Sequence, residues 1–277
     1  MRLSVTHTTR LTYSNPVVQE VMECRLGPLS DEDQRWDRFE LRVKPGGPIR
    51  SYVDGFGNPG HLVTIASSHE TIELIGESQV TTLLKDPFVP PSASPRPLTP
   101  QERYDYLAPS QLISREERLQ ELAAGVQPSP TDEPFETAVA LNELVYNQLA
   151  YMPDVTTITT TVSEVLDGQA GVCQDFTHLL IGLCRSVGIP ARYVSGYLLA
   201  NRDNRGPAAG ASHAWAEIYS PTHGWRGFDP TNNLLAAEHH IKIAIGRDYG
   251  DVPPTRGTYR GEADSDLAVE VAVRAIP

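Results

Sequence analysis

The apolar residues of this 277-residue chain change their spacing once, across a proline-rich stretch, and that change limits the folds open to it. Before the stretch they alternate. Leu3 and Val5, then Leu11 and Tyr13, then Phe39, Leu41 and Val43 are separated by polar neighbours. His61–Ile65 and Thr71–Ile75 follow, after the turn residues Gly55-Phe56-Gly57-Asn58-Pro59-Gly60. Period two broken by turns predicts antiparallel strands, and a small β-sandwich buries one face of each. Residues 87–100 then hold six prolines in fourteen positions. Proline fixes φ and removes a backbone donor, so an extended linker is predicted there.

After the linker the spacing turns helical. A helix is predicted over residues 110–124. Thr131-Asp132-Glu133-Pro134 forms a helix start, with a capping hydroxyl, early acids and a first-turn proline. Phe135, Ala138, Leu141, Val145 and Leu149 then make one apolar face. A third helix begins near Cys173 and stops before Gly188-Ile189-Pro190. Strands are predicted over Ala191–Leu199, His213–Tyr219 and Gly224–Asp229. Helices followed by strands indicate an α+β class. The predicted organisation is a β domain over 1–86, a linker over 87–100 and a second domain over 101–277.

Charge excludes some partners. Residues 1–100 carry 10 basic and 12 acidic groups; residues 101–277 carry 13 and 23. The net charge of −12 repels phosphate backbones and anionic membrane surfaces, so neither nucleic acid nor membrane is expected as a partner. The longest apolar runs, such as Leu179–Cys184, fall far short of the ~20 residues a membrane span needs. The sequence from Met1 to His7 has no apolar core of a secretory signal, and a cytoplasmic location is expected.

In a reducing compartment the three cysteines, Cys24, Cys173 and Cys184, are core residues or reactive thiols. No CxxC pair is present, so a cysteine zinc site is not expected. Cys173 follows Gly171-Val172 and opens a helix, where the dipole favours negative charge and free N–H groups can meet an oxyanion. Cys184, flanked by Leu180 and Leu183, reads as core, and Cys24 is given the same assignment.

A thiol nucleophile needs a base. His178 lies about 140° around the helix from Cys173 and cannot easily face it. His7, His61 and His69 fall in the β domain, His223 in a surface turn, and His239 and His240 on a surface segment. His213 follows a glycine-containing loop and opens a strand on which it shares one face with Trp215 and Glu217. Asp229 closes the next strand. Two strands joined at Pro221–Gly224 bring both side chains to one edge, which suits a base and its orienting acid. Trp215 and Trp225 either line an acyl site or pack the strands.

The blocks GVCQDFTHLLIGLCRSVGIPARYVSGYL (171–198), SHAWAEIY (212–219) and GWRGFDPTNN (224–233) closely resemble the transglutaminase-like superfamily. HTTRLTYSNPV (7–17) and Arg25–Pro28 are similar to the N-terminal region of its bacterial branch. The resemblance implies a papain-like α+β core, with Cys173 as nucleophile, His213 as base and Asp229 as orienter, and none of the three motifs departs from the family pattern. Tyr151, Gln174 and Trp215 are its candidates for the oxyanion hole or substrate cleft. The expected chemistry is thioester-forming acyl transfer on peptide or side-chain amides of a peptide or protein substrate. Hydrolysis is preferred; transamidation and a non-catalytic binding module remain alternatives. No cofactor is expected. Asn201–Gly206 resembles a fragment of a calcium loop but lacks its glutamate, so no metal is expected either. Residues 201–211 are a flap or an ordinary connection.

Overall fold

A computed structural model describes residues 1–126, 133–199 and 212–277. Strands β1 (Arg2–Cys24), β2 (Gln34–Lys44), β3 (Ile49–Val53), β4 (Pro59–Ile65) and β5 (His69–Thr82) come first. Helices α1 (Pro100–Leu107), α2 (Glu117–Ala124) and α3 (Pro134–Gln148) follow. Next are β6 (Ala150–Tyr151), α4 (Val162–Gly168), β7 (Ala170–Gly171), α5 (Cys173–Ser186), β8 (Ala191–Leu198), β9 (His213–Ser220) and β10 (Gly224–Asp229). The chain ends with β11 (Leu234–Leu235), β12 (His240–Gly246), β13 (Thr255–Arg260) and β14 (Ser265–Ala275). No described helix is long and apolar enough to cross a membrane.

β1 organises the N-terminal half. Leu3, Val5, His7 and Thr9 are buried while their even-numbered neighbours face outward, the alternation of a half-buried strand. At 23 residues it is long enough to serve two sheet halves. Its first half lies between β5 and β14, its second between β4 and β13. The change of partner falls at a register break between Thr12 and Val17, with Gln19 at a φ of 52° just beyond it. β2 extends one half through β5, and β3 the other through β4. The halves close over Tyr13, Val17, Met22, Val63, Ile72 and Leu74. Cys24 belongs to the same core.

The expected domain limits need correction at the C-terminus. Residues 255–275 return to the N-terminal sheet and flank β1. A strand as long as β1 presents two rows of backbone donors and acceptors, and β13 and β14 close the row that β4 and β5 leave open. Residues 87–100 are likewise no free spacer. The Pro87 and Val89 carbonyls accept from the Arg226 guanidinium at 3.3 and 3.4 Å, and the Tyr219 hydroxyl donates to the Arg96 carbonyl at 3.0 Å. His223, expected at the surface, is buried beneath this stretch, its ring stacked on Phe135 at 4.0 Å.

The helix expected over 110–124 is shorter, and α1 precedes it. α1 stops before Ala108, which is extended at ψ 151° because Pro109 follows it. α2 begins only at Glu117. α3 starts at Pro134, where the Glu133 carboxylate accepts from the Phe135 N–H at 2.8 Å. The expected cap Thr131 lies outside the described residues.

A five-stranded antiparallel sheet in the order β11-β10-β9-β8-β12 carries α5 on one face. Phe176, Leu179, Leu180 and Leu183 pack with Val145 of α3, Val165 of α4 and Ala216 of β9, and Cys184 is fully buried among them. At the end of α5, the Ile189 N–H donates to the Cys184 carbonyl and the Gly188 N–H to the Arg185 carbonyl. This Schellman arrangement needs the left-handed φ of 81° at Gly188.

β12 ends the five-stranded sheet, and side chains of the N-terminal half complete it. The Lys242 N–H donates to Gln34 Oε1 at 2.8 Å and its carbonyl accepts from Gln34 Nε2 at 2.7 Å. Asn58 makes the same pair of bonds to Ile245, both at 2.8 Å. Each amide stands in for the peptide of a missing neighbour strand. Leu3, Val5 and Val80 pack beside them on Tyr197, Ile241 and Ile243.

Gly188→Ala should lower stability by about 1 kcal/mol, the cost of a Cβ in the left-handed region. Gly168→Ala, in open space with an ordinary φ, should be neutral or slightly stabilising. Urea midpoints of the two variants check the difference.

Candidate active site

Cys173 is the first residue of α5. Asp175, in the first turn, folds back: its Oδ2 accepts from the Val172 N–H at 2.8 Å and from the Thr156 hydroxyl at 2.7 Å. That approach explains Gly171, where a Cβ would sit 2.4 Å from Asp175 Oδ2. The Asp175 and Phe176 N–H groups donate to the Val172 carbonyl. The Cys173 and Gln174 amides are therefore the ones that helix geometry leaves without an intrahelical acceptor. Cys173 is half-buried, whereas Cys24 and Cys184 are fully buried.

His213 opens β9 and Asp229 closes β10, and antiparallel pairing brings the two ends together. The hairpin turns through Gly224 at a φ of 69°. His213 Nε2 meets Asp229 Oδ2 at 2.6 Å, with both side chains fully buried. Its Nδ1 is buried without a hydrogen-bond partner among the described residues. Burial alone lowers the imidazole pKa, but the Asp229 charge and hydrogen bond, helped by the neighbouring Cys173, raise it to about 10. Burial likewise pushes the Asp229 carboxyl up, and His213 overrides this, holding it far below the usual carboxylate range.

Asp229 is saturated with donors. Oδ1 accepts from the Thr231 and Asn232 N–H groups at 3.1 and 3.2 Å. Oδ2 accepts from Asn232 Nδ2 at 2.8 Å, from His213 and, at 3.3 Å, from His240 Nε2. His240 was expected at the surface and is instead buried. Its Nδ1 accepts from the Ala237 N–H at 3.4 Å, so Nε2 carries the proton given to Asp229. Sequence reasoning missed His240 because nothing local distinguishes it from an exposed histidine. The ligand atoms of His213, Asp229 and His240 lie within 4.8 Å of one another, a spacing open to an ion, but in this arrangement the two rings share one carboxylate.

The other candidates separate. Gln174 lines the same cleft as Cys173 and His213, yet its side-chain amide donates to the Ile158 carbonyl at 3.3 Å. Tyr151 packs on Phe176, near enough to Cys173 for a thiolate there to add to the burial that raises its phenol pKa. Trp215 does not line the cleft. Its ring fills space left by Gly196 and Gly227, where a Cβ would sit 2.4 and 3.1 Å from it, and it meets His240 edge-on at 5.1 Å. Trp225 stacks under Arg192 at 4.1 Å, away from the thiol. His178 accepts from the Tyr249 N–H, and burial lowers its pKa to about 4. The segment 201–211 lies outside the described residues.

His213 has a folded pKa above its unfolded value of about 6.5. Its contribution to stability is therefore full below pH ~6.5 and is lost as pH rises through 10. Asp229→Asn should cost about 3 kcal/mol at pH 7, as expected when one partner of a buried pair is removed. The gap to the parent protein should narrow towards pH 10.5, as urea midpoints across that range will show.

The family described as the transglutaminase-like superfamily matches residues 120–230, and the bacterial transglutaminase-like N-terminal region matches residues 3–81. The uncharacterized protein ML0607 of Mycobacterium leprae is 32% identical over 277 residues, covering 98% of each chain. A protein-glutamine gamma-glutamyltransferase of Pseudomonas aeruginosa is 29% identical over 106 residues, 35% of this chain and 16% of that one. The crystal structure of a candidate cysteine protease from Cytophaga hutchinsonii superposes with a TM-score of 0.79 at 25% identity, covering 100% of this chain and 92% of that one. The chain belongs to the transglutaminase-like superfamily.

Proposed function

We propose that this protein is a cysteine-dependent acyl-transfer enzyme that cleaves peptide or side-chain amides through a thioester, with water as the usual acceptor. One observation carries the proposal: the half-buried Cys173 opens a helix beside His213, and His213 is held by the buried Asp229. The ionised Cys173 sulfur attacks the amide carbonyl carbon, and the Cys173 N–H binds the developing oxyanion. His213, with its pKa raised to about 10, carries the proton that the departing amine takes as the C–N bond breaks. Water then gives a proton to His213 and attacks the thioester, releasing the acid and restoring the sulfur. Asp229 keeps the imidazolium charged and, by engaging Nε2, leaves Nδ1 as the nitrogen that carries the transferred proton. Gln174 contributes its backbone N–H, since its side chain is engaged by Ile158.

Transamidation uses the same groups with an amine in place of water. The partial similarity to a protein-glutamine gamma-glutamyltransferase favours it as the second reading. Hydrolysis fits the overall likeness to the Cytophaga candidate protease. Incubation with a glutamine-containing peptide and a fluorescent amine separates them: hydrolysis releases free acid, whereas transamidation incorporates the amine.

Cys173→Ala should abolish both cleavage and transfer, and retained activity would contradict the proposal. In the native protein at about pH 6, iodoacetamide should modify Cys173 and spare the other two thiols. Burial pushes the Cys24 thiol up to about 12 and Cys184 higher still, and neither is exposed. Peptide mapping by mass spectrometry reads the result; equal labelling of the three would count against the assignment.

A further inference from the structure

The N-terminal sheet forms one wall of the cleft that holds Cys173. The cleft encloses about 1000 Å3 open to solvent, and His7, Thr9, Leu267 and Val269 line it together with Cys173 and His213. In the first half of β1 the inward face reads Leu3, Val5, His7, Thr9, Leu11, Tyr13, with Leu11 partly buried. It is apolar except at the two positions that reach the cleft. Burying a histidine and a threonine there costs free energy unless their polar atoms are used.

Those atoms form a directed chain. The Tyr197 hydroxyl lies 2.9 Å from His7 Nδ1, and His7 Nε2 lies 2.8 Å from Thr9 Oγ1. All three residues are at most 2% exposed. Burial lowers the His7 pKa to about 4, so the ring is neutral and carries one proton. Among the described residues Tyr197 has no other side-chain partner, so its proton goes to Nδ1. His7 must then hold its proton on Nε2 and give it to Thr9 Oγ1. Thr9 accepts this bond, which leaves its hydroxyl proton without an acceptor among the described residues, in a residue that lines the cleft. Directly across the sheet, Thr9 pairs with Val269 and Leu11 with Leu267. Leu267 and Val269 are 55% and 42% exposed, an apolar shelf beside the hydroxyl.

From this arrangement we infer that Thr9 is a specificity-determining residue of the acyl site, donating to a carbonyl of the acyl donor while Leu267 and Val269 hold an apolar side chain next to it. The substrate class is a peptide with an apolar residue beside the reacting amide. His7 and Tyr197 are positioning residues that fix the direction of the Thr9 bond. This inference rests on the acyl-transfer reading of Cys173.

The test is irreversible inactivation of the full chain by acetyl-Gly-Leu and acetyl-Gly-Asp chloromethyl ketones, which needs no turnover. The leucine reagent should inactivate at least tenfold faster than the aspartate reagent. Thr9→Val keeps the shape and removes the donor; it should raise KI for the leucine reagent about tenfold and leave kinact unchanged. Thr9→Ser should stay within twofold of the parent protein. Iodoacetamide reaches the sulfur without touching Thr9, and its rate should be the same in all three proteins. An unchanged KI in Thr9→Val, a Thr9→Ser as impaired as Thr9→Val, or no preference for leucine overturns the inference. Slow iodoacetamide labelling of Cys173 in the parent protein would instead count against the underlying acyl-transfer reading.

Discussion

The pairing of His213 with Asp229 is the interaction on which the site depends. A histidine buried as deeply as His213 ordinarily loses its proton. Here a buried carboxylate 2.6 Å away reverses that tendency and keeps the ring charged. The carboxylate in turn survives burial because donors surround it: two backbone N–H groups of the turn after β10, the Asn232 amide and a second imidazole. Each member makes sense only with the others present. His240 is the least obvious of them, a neutral ring from the far edge strand that gives its proton to the same oxygen as His213.

The N-terminal sheet is bound into this arrangement. Gln34 and Asn58 satisfy the outer backbone groups of β12, the strand that carries His240. The first half of β1 lines the cleft, and its inward face turns polar at His7 and Thr9, the two positions that meet it. β14 returns from the C-terminus to lie beside β1 and brings Leu267 and Val269 to the same wall. The two halves thus share backbone hydrogen bonding, a core and a cleft, and removing either would leave β12 and β1 with unpaired edges.

Much of the central geometry was legible in the sequence because it is local. Gly171-Val172 before Cys173, the apolar spacing after it and Gly188 define a helix with a thiol at its start. The sixteen-residue interval from His213 to Asp229 defines a hairpin whose ends meet. What escaped depends on pairing over long sequence separations. The alternation of Leu267, Val269, Val271 and Val273 is visible, but nothing in it names β1, some 260 residues away, as the partner. His240 looks like half of an exposed histidine pair until β12 pairs with β8 and joins the sheet. Trp215 shares a strand face with His213, yet the space that Gly196 and Gly227 leave open draws it into the interior. His7 and Thr9 read as ordinary strand residues, since the cleft they line is made mostly by residues far along the chain.

The central claim is that Asp229 keeps His213 charged at neutral pH beside Cys173. Histidine ring nitrogen NMR, recorded from pH 6 to 11, measures it most directly. The account predicts that His213 keeps protons on both nitrogens through pH 8 and releases one near pH 10. A neutral His213 ring at pH 7 would contradict it.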